Sequence, residues 1–206
     1  MSSQDDILIA VSALRLSRGE RTLFRNLSFT VRAGEAVALT GVNGAGKTSL
    51  LRAIAGFIRP DAGQISFGGI EPTEARSRRM HLLGHLDGLK GARTAREELA
   101  FQARWLGNDA DGEVRAITAL GLAPLLDLET RKLSAGQRRR LAIARMIAAP
   151  RPIWLLDEPL SPLDADWRAR VGVLMRAHLD DGGSILAAVH DPLPISAQAL
   201  DLGATA

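Results

Sequence analysis

Residues 36–55 read AVALTGVNGAGKTSLLRAIA, and this stretch decides the fold class. Ala36–Thr40 is a short apolar run of strand type. Gly41-Val-Asn-Gly-Ala-Gly-Lys-Thr48 satisfies G-x-x-x-x-G-K-[ST], and a helical pattern from Lys47 to Ala55 stops at Gly56 and Pro60. Each residue type has a chemical reason. Glycines let the main chain wrap closely around phosphate and aim its N–H groups inward. Lys47 supplies a point charge for the β and γ phosphates, and the Thr48 hydroxyl is a ligand for Mg²⁺. The opening helix adds a positive dipole end. Gly41, Val42, Asn43, Gly44, Ala45, Gly46, Lys47, Thr48 and Ser49 are therefore the candidate nucleotide-binding residues. A glycine turn ahead of a helix also arises without a ligand; here a strand precedes it and a helix follows.

Outward from this loop, strands alternate with helices. Leu8–Val11 and Leu27–Val31 read as strands before it, with a turn at Arg18-Gly19; Gln64–Phe67 and Met80–Leu83 read as strands after it. Helical patterns then dominate at Ala95–Leu106, Gly112–Leu120 and Ser134–Ala149. Ile153–Leu156 is continuously apolar, as in a strand buried on both faces of a parallel sheet. A helix over Asp164–Leu179 and a strand over Ser184–Val189 follow. The fold class is α/β with an inserted helical segment.

Composition narrows the function. The 206 residues are 46% hydrophobic and 24% charged, with no apolar run near the ~18 residues that cross a bilayer. The polar, acidic start at Met1–Asp6 does not read as a secretory signal. The chain is expected in the cytosol, with any membrane role exercised through a partner. No cysteine is present, which excludes disulfides, thiol catalysis and Cys-type zinc sites. With no Tyr, 3 Trp and 5 Phe, a stacking platform for single strands is poorly supplied, and a net charge of +3 is a weak field for nucleic acid. No nucleic-acid partner is expected.

Two further segments carry chemistry. Asp157 and Glu158 close the apolar strand at 153–156, where open parallel sheets bind ligands. Asp157 is placed to hold Mg²⁺, and Glu158 to orient and deprotonate an attacking water. Alone, the pair also reads as a surface strand end. Leu133-Ser-Ala-Gly-Gln137 opens the long helix. Ser134 and Gln137 fit a capping box, S-x-x-Q, which needs no ligand. The same geometry makes an anion site, and a second anion site suggests a contact to nucleotide held by another subunit.

In these residues the chain resembles the ATP-binding subunits of ABC transporters. Leu133–Gln137 is similar to the signature LSGGQ, with Ala135 at its first Gly, and Arg138–Arg145 continues the pattern. Leu155-Leu-Asp-Glu-Pro159 resembles the Walker B segment, Ser161-Pro-Leu-Asp164 the D-loop, and His190 the switch histidine. The resemblance implies a P-loop cassette: a parallel RecA-like core with an antiparallel β subdomain, over about 1–84 and 146–206, and a helical lobe over about 85–145. It implies ATP and Mg²⁺, a head-to-tail homodimer, and integral membrane subunits touching the helical lobe. Ser134, Gly136 and Gln137 would reach the partner subunit's ATP, and Asp164 would cross the dimer interface. His190 would sense the γ-phosphate beside the catalytic Glu158. Read alone, His190 is a strand-end histidine, and Asp164 is the third helical residue of a box begun by Ser161.

Two positions depart from that family. His85 stands where the family has a metal-sensing glutamine, which makes it a third candidate Mg²⁺ contact beside Thr48 and Asp157. His81 and His85 stand four apart, a spacing that hints at a metal pair, but they lie on a strand entering a loop, which disfavours one. Arg18 stands where an aromatic residue stacks on adenine, a role a guanidinium fills by cation–π contact. Leu16–Phe24 and Leu83–Lys90 resemble the ATP-binding subunits of the haem exporters of cytochrome c maturation. This implies a peripheral protein at the cytoplasmic face of a bacterial inner membrane, driving haem export or release of haem from its chaperone, with no direct haem ligation. The alternative is a transporter ATPase for another cargo, such as a drug, lipid or ion. A soluble ABC ATPase acting on DNA or ribosomes is disfavoured, since the chain has one cassette, no Cys and no heptad tract.

Overall fold

A computed structural model describes residues 7–107 and 111–205. The chain divides into two compact units. The first takes residues up to Leu82, then Pro152–Glu158 and the chain from Gly172; the second takes Leu83–Arg151 and Pro159–Val171. This differs from the expected lobes chiefly at 159–171, which joins the helical unit. The reason is local packing. Trp167 lies against Arg140 with the guanidinium carbon 3.9 Å from the ring centre. A Cβ on Gly136 would stand 2.9 Å from the Pro162 carbonyl, so these segments touch through main chain.

The first unit contains two sheets. Strands β1 (Ile7–Arg18), β2 (Arg21–Arg32) and β4 (Ala62–Ser66) form an antiparallel sheet in the order β2-β1-β4. Strands β3 (Ala36–Thr40), β5 (Met80–Leu83), β6 (Ile153–Asp157), β7 (Ser184–Ala188) and β8 (Gln198–Asp201) form the second, in the order β5-β6-β7-β3-β8. The pairs β6–β7, β7–β3 and β3–β8 are parallel, so their carboxyl ends share one edge. Every residue of β6 and β7 is buried, as their continuous apolar runs require. Helix α1 (Lys47–Ile54) packs on β6 and β7, and a short α2 (Pro72–Glu74) runs into a π-helical turn. Leu14, Phe24, Leu39, Leu50, Leu155 and Leu186 belong to one core. Each such side chain contributes about 1.5–3 kcal/mol by burial.

β1 is far longer than the expected Leu8–Val11. Its alternation breaks at Ala13, which has φ 49°, and the pairing with β2 slips between Val11 and Leu14. On β4, Gly63 sits where a Cβ would lie 2.5 Å from the Ala13 carbonyl, so the bulge requires glycine there.

The second unit packs α3 (Ala95–Leu106), α4 (Gly112–Ala119) and α5 (Ala135–Ala148) against one another. Both α3 and α5 open with capping boxes. In α5, Gln137 N–H donates to Ser134 Oγ at 3.2 Å, and Ser134 N–H donates to Gln137 Oε1 at 2.8 Å. Arg140 donates to the Leu120 carbonyl at 2.9 Å and so caps α4. Helix α6 (Ala165–Asp180) corrects the reading of Asp164. That residue is the N-cap itself, its Oδ1 accepting from Trp167 N–H at 2.9 Å, rather than a third helical residue of a box begun by Ser161.

Candidate nucleotide site

The loop between β3 and α1 is built on glycine. Gly41, Gly44 and Gly46 have φ of 123°, 83° and 99°. At Gly46 a Cβ would stand 2.6 Å from Cζ of the buried Phe24, so β2 floors the loop and excludes any side chain there. Lys47, the first residue of α1, is buried and donates from Nζ to the Gly41 carbonyl at 2.7 Å. Helix α1 has neither a side-chain N-cap nor an acidic residue in its first turn. Its positive end is therefore left for an anion.

The carboxylates stand at the end of β6. Thr48 Oγ1 is 3.1 and 3.0 Å from the two oxygens of Asp157, which is buried. Glu158 has φ 49°, a left-handed conformation that costs a non-glycine residue about 1–3 kcal/mol. Its N–H donates to the Ala188 carbonyl at the end of β7, at 3.0 Å. That turn brings Glu158 Oε1 to 3.4 Å from His190 Nε2. Lys47, Thr48, Asp157, Glu158 and His190 thus follow β3, β6 and β7 at one edge of the parallel sheet.

A hydroxyl and a buried carboxylate are hard oxygen donors, the set Mg²⁺ takes when phosphates supply further ligands. Among the described residues no cluster of three or more His, Cys, Asp or Glu forms a cage.

Arg18 is exposed at the end of β1. Ser134, Gly136, Gln137, Asp164 and His85 belong to the second unit. His81 is buried in β5, whereas His85 is exposed beyond it. Two neighbours of the loop escaped the sequence reading. An Arg21 Nη1 lies 3.5 Å from where a Gly44 Cβ would stand, and Asp201 Oδ1 lies 3.3 Å from the equivalent point at Gly41.

The family model for ABC transporters matches residues 24–161. The chain belongs to the ABC transporter family. A cytochrome c biogenesis ATP-binding export protein, CcmA, of Rhodopseudomonas palustris strain BisB5 is 50% identical over 193 residues, covering 94% of this chain and 96% of that protein. The CcmA of Maricaulis maris is 45% identical over 197 residues, covering 95% and 92%. The fold matches a dimeric bacterial ABC transporter cassette, with TM-score 0.77, 24% identity and coverage of 89% and 88%. It also matches a bacterial Atm1-family ABC exporter with ATP bound, with TM-score 0.82, 24% identity and coverage of 97% of this chain and 38% of that one. This ABC ATPase therefore binds and hydrolyses ATP. Among its described residues no helix is long and apolar enough to cross a membrane.

Proposed function

We propose that this ABC ATPase drives haem export, or release of haem from its chaperone, in the biogenesis of c-type cytochromes. It would do so as a head-to-tail homodimer bound to integral membrane subunits at the cytoplasmic face of a bacterial inner membrane. The observation that carries the ATPase chemistry is the gathering of Lys47, Thr48, Asp157, Glu158 and His190 at one sheet edge. The cytochrome c assignment is supported by relatives that match nearly end to end at up to 50% identity.

The 41–48 loop holds the triphosphate through main-chain N–H groups and the Lys47 ammonium. Thr48 and Asp157 would hold Mg²⁺, which when bound neutralises phosphate charge. Glu158 takes a proton from water as the water oxygen bonds to the γ-phosphorus and the bond to the bridging oxygen breaks, giving ADP and phosphate. His190 contacts Glu158 and senses the γ-phosphate. Arg18 lies against the adenine, and Arg21 joins it as a loop-side cation. Ser134, Gly136 and Gln137 reach the nucleotide of the partner subunit, and Asp164 fixes the D-loop by capping α6. His85 carries no cation role in this proposal, because it is exposed and its imidazole is softer than the oxygen set at Thr48 and Asp157.

The test replaces the chromosomal copy with Lys47→Ala and measures covalent haem in c-type cytochromes. Loss of that haem with b-type cytochromes intact supports the reading. Normal c-type cytochromes would move the cargo elsewhere and leave only the ABC ATPase.

A further inference from the structure

Loop 84–93 leads from β5 to α3 in the second unit. Leu86 is 84% exposed, and a cavity of about 540 Å³ runs along His85–Leu89, with Ala135, Arg138 and Pro162 among its other walls. Polar contacts to the loop's main chain and to the Asp87 side chain hold it. Arg139 donates to the Gly84 carbonyl at 2.9 Å and pairs with the Asp87 carboxylate at 3.2 Å. Arg145 donates to the Asp87 carbonyl at 3.4 Å, and Gln102 to the Gly88 carbonyl at 3.4 Å.

Gln102, and Arg93 at the end of the loop, meet on one carboxylate. Glu98 on α3 is 1% exposed. Its Oε1 accepts from Gln102 Nε2 at 2.6 Å, and its Oε2 accepts from Arg93 Nη1 at 3.1 Å. Arg93 lies 4.0 Å over the Phe101 ring, and Gln102 Oε1 accepts from Arg145 at 3.5 Å. A buried carboxylate with two donors fixes which way the Gln102 amide faces, and so which end of it meets the loop. Burial pushes the Arg145 pKa down, and nearby Asp87 and Glu98 oppose that shift.

We propose that Glu98 is a positioning residue: it orients Gln102 and Arg93 so that loop 84–93 is fastened to α3 and α5 as one body. Arg139 and Arg145 lie on the helix that opens with Ser134–Gln137. The loop and the signature turn therefore shift together. The effect on covalent haem rests on the cytochrome c reading; the fastening of the loop does not.

The test uses Glu98→Ala and Glu98→Gln in the full chain, assembled with its membrane subunits. Amide hydrogen exchange across 84–93 should speed by about tenfold or more in Glu98→Ala, with less in Glu98→Gln and no change at 41–48. KM for ATP should hold while kcat of the assembled complex and covalent c-type haem fall. If Glu98→Ala does not fold, Gln102→Leu replaces it and should give the same loop-specific rise. Wild-type exchange in the loop of a folded variant overturns the proposal. So does an equal rise across the whole unit, which would make Glu98 a general core contact. Intact cytochromes in Lys47→Ala would sink the cytochrome c reading and leave the exchange test standing.

Discussion

Glu158 combines a carboxylate needed for proton transfer with a backbone angle that favours other residues. Its φ of 49° is tolerated more easily by asparagine. Glu158→Asn should therefore lose turnover and gain up to about 1 kcal/mol in stability by denaturant unfolding. A large loss of stability would show that the carboxylate, rather than the turn, holds this segment. Gly46 makes the opposite case. Gly46→Ala adds a Cβ 2.6 Å from Phe24 Cζ at φ 99°, and should cost about 1–3 kcal/mol together with ATP affinity. At this scale the sequence was readable wherever spacing carries the chemistry, as in Gly41–Thr48 and Asp157-Glu158. Arg21 and Asp201 were not readable, because their approach to Gly44 and Gly41 comes from the hairpin and from an edge strand.

Helix α5 shows how a local rule and a functional reading coexist. Its capping box was legible as S-x-x-Q and is formed by both hydrogen bonds. Ser134→Ala should cost about 1 kcal/mol in stability, measured by thermal unfolding. Other elements were hidden. The bulge at Ala13 masks most of β1, and the exposed edge strand β8 reads QALD, with no apolar run to reveal it. The contact between α6 and β6 adds a pH dependence. His178 stacks on Trp154 with ring centres 3.9 Å apart, and burial lowers its pKa from 6.5 despite the Ser184 carbonyl and Asp181. The unfolded chain therefore binds more protons here, and this contribution is present above about pH 6.5 and lost as pH falls below it. His178→Phe keeps a ring on Trp154 and should flatten the fall in unfolding free energy on acidification. An unchanged pH slope would remove His178 as its source.

For the whole molecule, the division into a sheet unit and a helical unit places the phosphate loop in one and the signature turn in the other. The proposed head-to-tail dimer has a physical consequence that tests it. Glu158→Gln with ATP should sediment as a dimer, and adding Ser134→Arg should return it to a monomer that still binds ATP. Dimers that persist in the double variant would contradict the arrangement. The alternation of strands and helices made the α/β plan legible. The place of 159–171 was not, because three-dimensional packing, of Trp167 on Arg140 and Gly121 and of Pro162 on Gly136, assigns it to the helical unit. In the proposed mechanism the end of β6 supplies the proton acceptor for ATP hydrolysis. Its most direct measurement is ATP turnover beside ATP binding in purified Glu158→Gln. Binding retained with turnover reduced by ~10²–10⁴ is the expected result. Near-normal hydrolysis by that variant would remove Glu158 as the proton acceptor.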